Sequence, residues 1–278
     1  MIKKLADKYT IVFSFVVTLV IMATFLASMF LFASIFNVDL TNVEPTTNFF
    51  TTSILGKIVF AALTIFLLIK VKMQSVMRLS SKGLLKGFAL GWFPILLGVL
   101  VFLMKFDFSK IGSIEQNKWV LLLFLAGEML LTGITEEFLC RGLLYNTVFN
   151  KYNNVKIAVL FSSAIFGVVH LICLIYQPLI VTLVTVVFAF AGGVLFAAIY
   201  ARCKNIWVVV LIHAFWDIAM GAAGILTPSD TISTNVASGT TAEIIAQAPS
   251  LVVAILFVCL GMFLIRKKKL ELAVPNSF

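Results

Sequence analysis

Polar residues in this chain come as short interruptions between long apolar runs. A helix needs about 20 apolar residues to cross about 30 Å of hydrocarbon. Eight runs approach or exceed that length: 11–36, 53–69, 84–104, 119–149, 157–175, 178–201, 206–223 and 249–265. The pattern predicts an all-α polytopic membrane protein of about eight transmembrane helices. Lys3 and Lys4 precede the first run as they would in a signal peptide. Its 26 residues nevertheless exceed the roughly 15 of an ordinary signal core, so a retained helix is expected.

The basic residues orient these helices. Cytoplasmic loops are enriched in Lys and Arg. With the N-terminus inside, the inner segments hold Lys3, Lys4 and Lys8, then Lys70, Lys72, Arg78, Lys82 and Lys86, then Lys151 and Lys156, Arg202 and Lys204, and Arg266 to Lys269. The outer loops hold Lys105, Lys110 and Lys118, against sixteen inside. Both termini are therefore expected in the cytoplasm.

Composition agrees: 62% of the 278 residues are hydrophobic and 12% are charged, against about 25% charged in a soluble domain. The formal charge of +9 could suggest nucleic acid, but the cations sit between apolar runs, not along one aromatic-studded face. Membrane lipids are the expected partners, no nucleic acid is, and the expected location is the cell (plasma) membrane as a multi-pass protein. A single membrane domain over 1–278 is the economical reading, with a Ser/Thr-rich outer loop at about 224–248. Cys140, Cys173, Cys203 and Cys259 form no C-x-x-C pair, which implies neither a disulfide nor a zinc knuckle. Gly83, Gly87 and Gly91 form a ridge of small residues suited to close helix packing.

Candidate chemistry lies in the charges the apolar runs retain. A charge at mid-bilayer costs about 2.5–3.5 kcal/mol on insertion scales, yet the segment "TGITEEFLCRGLLYN" places Glu136, Glu137 and Arg141 inside a span. The only two histidines, His170 and His213, also fall within spans, as does Asp217. Residues four apart share a helix face, so Glu137 aligns with Arg141, and His213 with Asp217. Helix glue alone does not need two adjacent glutamates, two histidines and an aspartate spread over three spans. Glu128 lies roughly 12 Å before Glu136 along the axis with no partner legible in the sequence, and reads as a helix-contact residue.

Depth constrains a shared site. Glu136 and His170 each lie about 20 Å from the 150–156 loop, whereas His213 lies only about 10 Å past the start of its own span. The three meet if the fourth and fifth spans protrude as a cytoplasmic hairpin. Two adjacent carboxylates in low dielectric cannot both ionise cheaply, which suits one of them to act as a general base on water. Histidines can position that water, polarise a carbonyl or ligate a metal. No G-x-S-x-G or H-E-x-x-H motif competes. Hydrolysis by attack of water is the best chemical fit.

The segments "EEFLCR" (136–141), "FGVVH" (166–170) and "HAFWD" (213–217) resemble, in order, the E-E-x-x-x-R, F-x-x-x-H and H-x-x-x-N/D motifs of the CAAX-protease and bacteriocin-processing (CPBP, or Abi) family of intramembrane endopeptidases. That family is similar to type II CAAX prenyl endopeptidases. The resemblance covers about 119–220, the expected catalytic core helices. It implies that Glu136 activates water with His170, that His213 and Asp217 stabilise the oxyanion, and that Glu137, Arg141 and Phe166 support the site. It implies a membrane-embedded or lipidated peptide substrate, prenylated or not. Relatives with this architecture are also linked to bacteriocin immunity and to control of sensor kinases, so a sensor-kinase partner is a further implication.

Metal use stays open in the sequence. Glu136, His170 and His213 would suit an open catalytic zinc site of three ligands plus water, while a glutamate-activated water needs no metal. Two other classes stand beside the protease: a non-catalytic membrane partner keeping the same fold, and a proton-coupled transporter. A transporter would usually show two related halves or glycine-broken helix pairs, and neither is visible in the sequence.

Overall fold

The computed structural model describes residues 1–42, 44–226 and 240–266, and every regular element among them is helical. A short α1 (Ile2–Lys8) leads into α2 (Thr10–Phe36), which turns at Asn37 in the left-handed conformation. The next helix, α3 (Thr47–Lys70), starts where the Thr46 hydroxyl accepts from the Phe49 amide, satisfying one of the four free N–H groups of a helix start. Next come α4 (Leu84–Leu90), α5 (Trp92–Lys105) and α6 (Gln116–Glu137). A π-helical turn, Phe138–Tyr145, carries α6 into α7 (Asn146–Tyr152). The last four are α8 (Val155–Val169), α9 (Leu179–Cys203), α10 (Ile206–Leu226) and α11 (Thr240–Leu264).

Seven of these stretches are long and apolar enough to cross a membrane, and an eighth follows if α4 and α5 are one span. The continuous helix expected over 84–104 is broken, because α4 and α5 meet at 59°. Pro94 is the physical cause. It has no N–H to give the Leu90 carbonyl, and its ring crowds that turn. The expected glycine ridge does pack closely: a Cβ at Gly87 would lie 2.6 Å from Val208, and one at Gly91 2.2 Å from Ile212, so α4 rests directly on α10.

Burial separates the core from the lipid-facing rim. In the apolar windows of the spans, 56% of α10 is buried against 17% of α2. The C-terminal half of α9, from Ala191 to Cys203, is buried almost throughout and packs against α8 and α11, while α10 packs against α6 and α5. Of the motif-bearing helices α10 is the most buried, and the π-helical turn after α6 is buried throughout.

Segments expected on one side of the membrane share one face of the fold. Lys151 Nζ donates to the Asp7 carbonyl at 3.0 Å, joining the N-terminal helix to the α7–α8 turn. Asn205, in the α9–α10 turn, donates to the Ser80 and Lys82 carbonyls at 2.7 and 3.1 Å, and Trp207 Nε1 donates to the Met77 carbonyl at 3.0 Å. Four of the lysine-bearing segments therefore gather at one end. The fifth, around 267–269, lies outside the described residues, as does most of the 224–248 loop. The helix from Gln116 to Tyr152 runs 37 residues, about 50–55 Å at helical rise against about 30 Å of hydrocarbon. It has the length to project beyond the bilayer.

Candidate active site

Close backbone contact brings α6 to α10. A Cβ at Gly133 would sit 2.6 Å from the Val210 carbonyl oxygen, so only glycine allows the approach. One turn further along each helix, the carboxylates of Glu136 and Glu137 meet His213. Glu137 is fully buried, and its Oε1 accepts from Arg141 Nη1 at 2.8 Å and faces His213 Nδ1 at 2.9 Å. The aligned Glu137–Arg141 pair is present, and its carboxylate also anchors a histidine 76 residues away.

Arg141 is held at both terminal nitrogens and over one face, while its buried Nε has no partner among the described residues. Its Nη2 donates to the Gly193 carbonyl at 3.0 Å, and the guanidinium carbon lies 4.8 Å from the Phe166 ring centre. Gly193 keeps α9 against α8: a Cβ there would come within 3.0 Å of Ser163 Cβ and 3.2 Å of the Phe166 ring. Phe166 is the shared neighbour of the site. It packs edge-on against His170 at 4.8 Å and against His213 at 5.8 Å between ring centres. Just beyond Arg141, Asn146 Nδ2 donates to the Arg141 and Gly142 carbonyls, pinning the π-helical turn. Such turns occur frequently at functional sites.

The second nitrogen of His213 lies between two carboxylates, with Nε2 3.6 Å from Glu136 Oε2 and 3.4 Å from Asp217 Oδ2. Three acceptor-capable atoms so close require at least one proton among them. His170 Nδ1 stands 2.7 Å from the Phe166 carbonyl. A carbonyl only accepts, so Nδ1 carries the hydrogen and Nε2 of the neutral ring is free to accept from water.

Two cavities adjoin this cluster. A small one, about 170 Å³, is walled by both Glu136 and His170, and at about 30 Å³ of liquid per molecule it holds several waters. A larger one, about 950 Å³, is lined mainly by apolar side chains with Asp217 in its wall. Phe25, Lys57, Ile172 and Tyr176 belong to both, so one partition separates the apolar chamber from the carboxylate–histidine pocket. His213 borders neither cavity and sits behind Glu136 and Asp217.

Glu136, Glu137, Arg141, Phe166, His213 and Asp217 thus come together, with His170 reaching the same cluster through Phe166. Sequence reasoning left Glu128 without a partner. Glu128 in fact accepts from Ser53 Oγ at 2.7 Å and pairs with Lys57 of α3, across 71 residues that no helical spacing could connect. The suggested zinc set of Glu136, His170 and His213 does not assemble as one. Among the described residues no group of three or more His, Cys, Asp or Glu side chains stands where it could hold a metal ion, and both nitrogens of His213 already face carboxylates.

Residues 117–219 match the family model described as type II CAAX prenyl endopeptidase, Rce1-like. No curated protein and no solved structure matches the chain. The match includes Glu136, Glu137, Arg141, Phe166, His170, His213 and Asp217, and it points to a CAAX-type intramembrane protease at the level of the family. It carries nothing specific to bacteriocin immunity or to a sensor-kinase partner. Residues 117–219 are thus similar to the Rce1-like domain of type II CAAX prenyl endopeptidases, and they lie within a multi-pass membrane protein.

Proposed function

We propose that the protein is an intramembrane endopeptidase that hydrolyses a peptide bond in a membrane-embedded or lipidated CAAX-type substrate. The observation that carries this reading is that Glu136 and His170 line the same small cavity, with room for several waters. Glu136 takes a proton from water while His170 Nε2 accepts the second hydrogen bond and fixes the water's orientation. The water oxygen attacks the carbonyl carbon and the carbonyl oxygen takes up the electron pair, while His213, behind Glu136 and Asp217, holds those two carboxylates in position. Glu136 returns its proton to the leaving amine nitrogen as the C–N bond breaks. One water and one peptide bond give one carboxylic acid and one amine.

Glu137, Arg141 and Phe166 act through others: they hold His213 and His170 in place without reaching the water. The apolar chamber suits the lipid chain or apolar residues of the substrate, and the lysine-rich face is the cytoplasmic one by the positive-inside rule. The test uses the full chain in proteoliposomes with a series of prenylated and unprenylated peptides. Glu136→Gln should lower cleavage at least about 100-fold, the lower range for general-base catalysis, with unchanged thermal unfolding. Retention of more than a few per cent of activity would sink the base assignment.

A further inference from the structure

A second buried charge cluster lies outside the site just described. Lys57 of α3 pairs with Glu128 Oε1 and donates to Thr132 Oγ1 at 2.6 Å, while Thr132 donates to the Glu128 carbonyl and Ser53 donates to Glu128 Oε1. Simple helix glue would use up its hydrogen-bonding groups, and this cluster does not. An ammonium has three N–H donors, of which two are accounted for, and Glu128 Oε2 has no donor among the described residues. The Lys57 side chain keeps 13% exposure against 5% for Glu128. Lys57 is also the one lysine or arginine in the wall of either cavity, and it belongs to both.

A spare donor beside a spare acceptor is the complement of one extended residue, whose own carbonyl and N–H point to the same side. A free carboxylate fits less well. The charge of Lys57 is already neutralised by Glu128, and the chamber walls add two further carboxylates, Glu136 and Asp217, against a single imidazole, His170. We propose that Lys57 and Glu128 bind the backbone of one extended substrate residue where its chain passes from the apolar chamber into the Glu136–His170 pocket, that residue's carbonyl on Lys57 Nζ and its own N–H on Glu128 Oε2. The proposal rests on reading that pocket as a peptidase site, and it makes Lys57 and Glu128 substrate-binding residues that read neither side chain nor C-terminus.

Binding separates this proposal from catalysis. A fluorescent prenylated peptide, made as free acid and as C-terminal amide, is titrated against full-length Glu136→Gln protein in proteoliposomes. Adding Lys57→Met together with Glu128→Met removes the spare donor and acceptor without stranding a buried charge. It should weaken binding of both peptides at least about tenfold. Lys57→Gln keeps donors for Glu128 and Thr132 and replaces the double variant if that unfolds, with weakening of both peptides again expected. Unchanged affinity overturns the proposal, as does weakening confined to the free acid, which would make Lys57 a carboxylate receptor. If the unmutated chain binds peptide without cleaving it, the peptidase reading fails while the Lys57–Glu128 site is judged on its own affinities. If no peptide binds, both fall.

Discussion

Glu137 and His213 are joined by a 2.9 Å contact between α6 and α10, and the same carboxylate oxygen holds Arg141. Removing Arg141 as Arg141→Met therefore leaves a buried carboxylate with only His213 for support. A stability loss of about 3–5 kcal/mol is expected, and Glu137→Gln with Arg141→Met together should lose less than Arg141→Met alone. Thermal unfolding in detergent measures all three. Equal stability of Arg141→Met and the unmutated protein would mean that the pair is not closed in solution.

Gly133→Val tests whether the α6–α10 approach aligns the site. Its side chain would meet the Val210 carbonyl, where even a Cβ stands at 2.6 Å. Overpacking of this kind costs about 1–3 kcal/mol, and it should draw Glu136 and Glu137 away from His213. Cleavage should fall by more than the stability loss accounts for, read as turnover of the folded fraction. Full turnover would detach the helix contact from the chemistry.

At position 217 the family motif admits Asn or Asp, and the contact to His213 Nε2 is 3.4 Å. Asp217→Asn keeps a polar group at that distance, whereas Asp217→Ala removes it. Turnover should fall at least about tenfold in Asp217→Ala and much less in Asp217→Asn, since stranding the buried His213 without its polar neighbour costs about 1–3 kcal/mol. Equal losses in the two variants would require the negative charge itself.

Single cysteines at Ser75 and Asn154 should be labelled by a membrane-impermeant thiol reagent only after the cytoplasmic side is opened, and cysteines at Thr41 and Ser109 before it. Ser75 and Asn154 belong to segments gathered at the lysine-bearing end, and Thr41 and Ser109 to connections between the opposite helix ends. Reversed labelling of either pair would invert the orientation drawn from the basic residues.

What the sequence could express was whatever repeats along one helix. Apolar run length gave the spans, and four-residue spacing gave Glu137 with Arg141 and His213 with Asp217. The bond from Glu137 to His213, the Arg141 contact to the Gly193 carbonyl and the Lys57–Glu128 pair each join different helices. Periodicity is silent about such pairs. Lys57 carried one clue, a cation within an apolar run that needed an acid somewhere. Pro94 likewise marked the break in the third span, which a count of apolar residues passed over. The π-helical turn after Glu137 left no compositional trace, because its residues suit an ordinary helix equally well.

The partition between the two chambers is built partly from Phe25 on α2 and Lys57 on α3, and both helices precede the 117–219 domain. On the proposed peptidase reading, the first two long helices share the choosing of substrate with the 117–219 segment while contributing none of the proposed carboxylates and histidines of the cut. Mutations drifting through the first two long helices can reshape the guest chamber while the hydrolytic machinery stays untouched, so paralogues with identical carboxylate–histidine pockets are free to diverge in diet. Grafting residues 10–70 from one such protein onto another should shift appetite without altering the blade.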